Sequence, residues 1–210
     1  MSVAAPAALW GLLVCYPNPL VLARNVARYL RLPIDPAMAT TLPLPSTRDP
    51  AALERAVEAL LPYDYDWRVY GVPWYVPTPA EAVRARRGDC EARAVVLASV
   101  LRAQGIPFTV RASLSHLWID YPTRQALAGE RAEDSWWERD GSGWRPRWSG
   151  LLRLGEAVTA QKQALWDAMP LPRKALLIAG WIALAAIAWR RRSAARATAT
   201  PPPLAPAATE

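Results

Sequence analysis

At 210 residues, with 52% hydrophobic residues, the chain suits one packed domain plus appendages. The formal net charge of +7 is unevenly placed: six basic residues flank one apolar run near the C-terminus, and residues 1–172 hold 19 basic and 17 acidic groups. The charge therefore marks a membrane flank rather than a nucleic-acid surface. Two cysteines exclude a disulfide framework, and one histidine with two distant cysteines excludes a zinc or iron site; no cofactor is expected.

Residues 1–32 begin with an apolar stretch, Val3 to Tyr16, broken at Pro17-Asn18-Pro19. No basic residue precedes it, so it does not fit a cleaved signal peptide. A membrane span, a short hairpin in the membrane and a helix docked on the domain all remain open. Cys15 within it reads as a small buried hydrophobe. Residues 33–48 are rich in proline and threonine and read as a linker.

The main domain is expected over 49–150. Asp49-Pro50 opens a helix with Leu53, Val57, Leu60 and Leu61 at helical spacing, and Pro62 ends it. Tyr63 to Val76 is aromatic-rich, and Trp74 is a candidate groove residue. Thr78-Pro79-Ala80-Glu81 is a capping box starting a short helix that ends near Arg87. Arg84, Arg86 and Arg87 read as a solvated helix face.

Gly88-Asp89-Cys90 then opens a helix to about Gln104, apolar on most of its circumference and therefore central. Gly105 and Pro107 stop it. Phe108 to Leu114 and Ser115 to Tyr121 read as strands. In the second, Leu117, Ile119 and Tyr121 alternate with His116, Trp118 and Asp120. Trp144 to Trp148 suggests a further strand. Residues 151–170 form a helical connector.

Ala175 to Trp189 holds fifteen residues without a charge, ~22 Å of helix. Flanking Arg173, Lys174 and Arg190 to Arg192 extend it to a transmembrane helix over 171–192. Residues 193–210 are rich in alanine, proline and threonine and read as a disordered tail. The heavier basic flank, Arg190 to Arg196, favours the cytoplasm, which puts the domain on the periplasmic or extracytoplasmic side. The basic residues after the first apolar stretch pull the other way.

A helix-terminal cysteine and a strand histidine suit thiol acyl transfer. The helix N-terminus and an imidazolium both lower a thiol pKa, and the Cys90 N–H can face a developing oxyanion. On spacing alone, a buried structural cysteine is an equal reading.

Gly88-Asp89-Cys90, the alanine-rich helix, Gly105-Ile106-Pro107 and His116-Leu117-Trp118-Ile119-Asp120 together resemble the core of the transglutaminase-like superfamily, over roughly residues 50–122. The resemblance implies an α+β, papain-like core, with a central cysteine helix packed on a small antiparallel sheet. It implies Cys90 as nucleophile, His116 as general base and acid, and a protein or peptide substrate. Members include cross-linking acyltransferases, thiol proteases and inactive binding relatives. The superfamily's aspartate, on the strand after the histidine strand, is missing from Gly143-Trp144-Arg145-Pro146-Arg147-Trp148. Asp134 is the narrow choice among Glu130, Glu133, Asp134, Glu138 and Asp140. Asp120 is the runner-up, though four residues along a strand from His116 is ~13 Å. The expected function is a membrane-anchored thiol enzyme; the alternative is a catalytically impaired binding module.

Overall fold

The computed structural model describes residues 4–125, 130–140, 143–147 and 154–197. They fall into two compact units, Asn18–Leu171 and the paired chain ends Met1–Pro17 and Pro172–Glu210. Trp148, the Asp140 side chain and the tail beyond residue 197 lie outside the described residues.

In the larger unit, short polar side chains set the helix starts. Asn18 caps α2 (Pro19–Leu30), Asp35 caps α3 (Pro36–Ala39) and Asp49 caps α4 (Pro50–Leu60), each with proline at the first helical position. Asn25 of α2 is fully buried, and its amide donates to Trp74 O at 2.7 Å. Arg28 pairs with Glu81 at 2.7 Å. Thus α2 is a helix docked on the domain, one of the options the sequence leaves open. The proline-rich stretch 33–48 carries α3, and its Ile34, Leu42 and Leu44 pack against the core. A short helix, α5 (Asp66–Val69), interrupts the aromatic segment. The Thr78/Glu81 capping box is formed at α6 (Pro79–Ala85).

Helix α7 (Cys90–Ala103) is the centre of the core, with nine buried residues from Ala92 to Leu101. Asp89 caps it by accepting from the N–H groups of Glu91 and Ala92. At its other end Gly105 takes a φ of 68°, Ile106 N–H donates to Leu101 O, and Gly105 N–H to Arg102 O. This pair of bonds closes the helix at the glycine the sequence marks.

The sheet is antiparallel, ordered β2-β1-β3-β4, with β1 Thr109–Ala112, β2 Leu117–Asp120, β3 Trp137–Asp140 and β4 Gly143–Pro146. Val110 pairs with Ile119 and Ala112 with Leu117, and all four join the core cluster with α7. The fold class is therefore α+β, a small antiparallel sheet packed on a buried helix. Downstream, α8 (Leu154–Lys162) runs into a π-helical turn, Gln163–Asp167. The turn is tied back where Trp67 Nε1 donates to Leu165 O at 3.1 Å.

The second unit pairs α1 (Ala4–Cys15) with α9 (Leu171–Ala197) antiparallel: Trp181 Nε1 donates to Ala7 O, Trp10 Nε1 to Leu176 O and Arg173 to Val14 O. Gly180 makes the approach possible, since a Cβ there would stand 2.0 Å from the Trp10 indole nitrogen. Leu171–Ala194 is long and apolar enough to cross a membrane, and 6% of its most apolar window is buried. Twelve residues of α1 reach only ~18 Å, short of a ~30 Å hydrocarbon core.

Candidate functional site

Cys90 stands at the first position of α7, where its N–H has no intrahelical acceptor. Gly88 lets the chain enter there. A Cβ on it would fall 2.4 Å from the Ala92 Cβ, and its N–H and C=O are taken by Pro62 and Asp64. His116 lies just before β2, where a tight turn is closed by Ser113 N–H on His116 O at 2.8 Å. Its ring stacks on Trp118 at 5.6 Å. Cys90 and His116 together line a cavity of about 370 Å³ and a smaller one of about 80 Å³.

His116 Nε2 meets Glu130 Oε1 at 2.6 Å. Glu130 Oε2 accepts from Arg124 at 2.6 Å, and Arg124 also pairs with Glu54 at 2.8 Å. The Arg124 side chain is only 7% exposed, so this network is desolvated and geometrically fixed. Burial pushes the Glu130 carboxyl up, but the bond to His116 and the Arg124 charge outweigh it and hold it below the ordinary carboxylate range. An ionised Glu130 orients the imidazole through Nε2 and leaves Nδ1 for other chemistry.

No protein-family model, curated protein or solved structure matches the chain.

The carboxylate on the imidazole is Glu130, not Asp134. Asp134 closes a 3-10 turn, Ala132–Asp134, accepting from Arg131 N–H at 3.3 Å. Asp120 is held by Arg111 at 2.7 Å, and Arg111 also holds Glu138. Both expected carboxylates thus have structural partners, and Arg124 is what draws Glu130 to the ring. Glu130 was within sight of the sequence, but Arg124 and Glu54 were not, since nothing local links the α4 carboxylate to the segment after β2.

Trp74 lines the larger cavity, but its indole N–H donates to Glu91 Oε1 at 3.1 Å. The other Glu91 oxygen accepts from the Cys90 thiol at 2.9 Å. The expected lowering of the thiol pKa is overturned. Burial pushes the Cys90 thiol well up, and the charges of Glu91 and Asp89 and the bond to Glu91 add to this, against one opposing bond from Leu117 N–H. The helix N-terminus is present, but burial first, and the Glu91 and Asp89 carboxyls after it, act against the thiolate.

Asp66, Asp89 and Glu91 line the same cavity. Asp66 is 2% exposed, with Oδ2 accepting from Tyr75 N–H at 2.5 Å. Burial and then the Glu91 charge push it up to about 8. Asp89 is raised by burial, by Glu91 and by Asp66 itself. Aromatic rings (Tyr29, Tyr63, Tyr65, Trp137) form much of the remaining wall, and Gln161 and Leu165 of the connector close it. The connector's part in this wall carried no sequence signal.

Proposed function

We propose that the Asn18–Leu171 unit is a transglutaminase-like thiol module that hydrolyses or transfers an amide acyl group on a protein or peptide, held at a membrane by α9. The observation that carries this reading is that His116, Glu130 and Arg124, bonded in series, line the smaller cavity together with Cys90. In the reaction, His116 takes the Cys90 proton as sulfur attacks the amide carbonyl, then delivers it to the leaving amine. The tetrahedral oxyanion meets the Cys90 N–H at the start of α7. Glu130 keeps the imidazole in the tautomer that offers Nδ1 to the thiol. Water or a second amine then releases the acyl group from sulfur. The sequence resemblance and the small antiparallel sheet packed on the cysteine helix support a papain-like core, and the basic flank Arg190 to Arg196 supports a domain on the extracytoplasmic side.

The test is alkylation of the intact protein by iodoacetamide, in chelator, across pH. His116→Ala should slow modification of Cys90 by about 100-fold near neutral pH, the scale of a positioned base. Equal rates in the two proteins would reject the pairing.

A second reading is favoured by the Glu91–Cys90 hydrogen bond and the raised thiol pKa. In it the module binds a partner in the aromatic cavity without turnover. Cys90→Ala would then leave partner binding and cellular phenotype intact, whereas a null phenotype from that substitution would count against it.

A further inference from the structure

We infer that the connector, α8 with its π-helical turn, is an autoinhibitory strap that covers the larger cavity and withholds Cys90 from a polypeptide until it lifts. Cys90 and His116 line that cavity, and the connector contributes Gln161, Ala164 and Leu165 to its wall. Two hydrogen bonds fasten the connector to residues around the site. Gln161 Nε2 donates to Leu114 O at 2.7 Å, in the turn that Ser113 N–H closes on His116 O. Trp67 Nε1, on α5 beside Asp66, donates to Leu165 O at 3.1 Å. One fastening is therefore two residues from His116, and the other is on the helix that brings Asp66 to the same cavity.

The volume sets what is withheld. About 370 Å³ is at the low end of sites that enclose a small molecule, ~300–1,000 Å³. A side chain or a small reagent fits in that space. A chain that continues on both sides of a scissile amide needs the connector out of the way.

The connector is held in a way that allows release. The residues it half-buries are Ala157, Ala160, Gln161 and Ala164, three of them with a single methyl group to pack. Its large apolar side chains, Val158, Leu165 and Trp166, stay 67%, 43% and 37% exposed, so little apolar area holds it down. Helix α7, with nine buried residues, shows the contrast. Few buried contacts and solvent-exposed bonds are the marks of a segment that opens locally. Burial resumes at Ala168 and Met169, which places the hinge there. The π turn, Gln163–Asp167, leads directly into it, and such turns are where helices kink and recur at functional sites.

The test labels Cys90 in the full chain in detergent micelles, in a Cys15→Ala background, with two neutral reagents of one chemistry: N-ethylmaleimide and a rigid coumarin maleimide. The readout is the ratio of the bulky to the small rate, which removes thiol reactivity and keeps access. The reference is an exposed thiol on the same chain, Arg55→Cys with Cys15→Ala and Cys90→Ala. An open form populated at ~10% or less puts the Cys90 ratio at least about tenfold below the reference. Gln161→Ala removes one fastening bond and should raise the ratio by about two- to tenfold, and Trp67→Phe should raise it as well. Asp66, Asp89 and Glu91 line the cavity and, among the described residues, no lysine or arginine does. Relative to Ala164→Gln, Ala164→Glu should therefore raise the ratio and Ala164→Lys lower it. Opposite shifts separate a strap that opens and closes from a wall that has only been damaged. Trp67 is buried, so Gln161→Ala and the Ala164 series decide the matter if Trp67→Phe fails to fold. A parent ratio equal to the reference, a ratio unmoved by Gln161→Ala, or shifts of one sign from Glu and Lys would overturn the proposal. It rests on the acyl-transfer reading only for what is withheld, and the two fail separately. A low ratio with His116-independent alkylation refutes acyl transfer alone; His116-dependent alkylation with a ratio equal to the reference refutes the strap alone.

Discussion

Replacing Glu91 with glutamine should make Cys90 more reactive, not less. The Glu91 carboxylate stands 2.9 Å from the sulfur and accepts its proton. Once the thiol ionises, two unit charges at that separation repel by ~1.4 kcal/mol at the dielectric of water and by several kcal/mol at an effective dielectric of ~20. The thiol is partly shielded from water, so the lower figure is the floor. It corresponds to about a tenfold change in the thiolate population at neutral pH. Glutamine keeps the shape, accepts from Trp74 through its amide oxygen and removes only the charge. The assay is the second-order rate of Cys90 alkylation in chelator at neutral pH, with Cys15→Ala as background so that a single thiol reports. A rate equal to or below the parent protein's would show that Glu91 does not hold the thiol down, and the account of the suppressed nucleophile would fall with it.

Glu130→Gln should slow the same alkylation by an amount between the parent and His116→Ala, because the imidazole loses its orienting charge but stays in place; a rate at or above the parent's would remove Glu130 from the site. Stability should fall in acid: Glu130 is held below its ordinary value of 4.5, so its contribution is present above that pH and is lost as pH drops through the folded-state value. Chemical unfolding of Glu130→Gln should show a shallower acid loss than the parent. Leu101→Ala empties a fully buried site on α7 and should cost ~2–5 kcal/mol by denaturant unfolding, with under 1 kcal/mol marking a core that does not centre on this helix. Gly180→Leu should displace Trp10 and speed amide exchange over Ala4–Cys15, and unchanged exchange would contradict the close approach of α1 and α9.

The elements with local causes were legible in the sequence. Asp49, Thr78 and Asp89 are caps whose hydrogen bonds run to the next two or three residues, so their roles follow from position. Gly105 ends α7 because only a residue at ease with positive φ closes that geometry. The alternation in β2 placed Leu117 and Ile119 in the core, but Trp118, read onto the opposite face with His116, is buried as well. What failed was register across distance. Choosing Glu130 over Asp134 depends on where the chain returns after Tyr121, and that is decided by Arg124 bonding both Glu54, seventy residues earlier, and Glu130, six later. Likewise the proline-rich 33–48 stretch carried no periodicity to announce that α3 packs on α7, where the Ser99 hydroxyl accepts from Asp35 N–H at 3.0 Å.

The thiol's electrostatics failed for a different reason. The helix N-terminus and the histidine were both visible, and each favours a thiolate. Glu91 was visible too, but a residue next in sequence on a helix points about 100° away, so it reads as a neighbour that does not face the sulfur. Yet Asp89, Cys90 and Glu91 at the start of α7 all line the same cavity. Trp74 then anchors one Glu91 oxygen and leaves the other on Cys90.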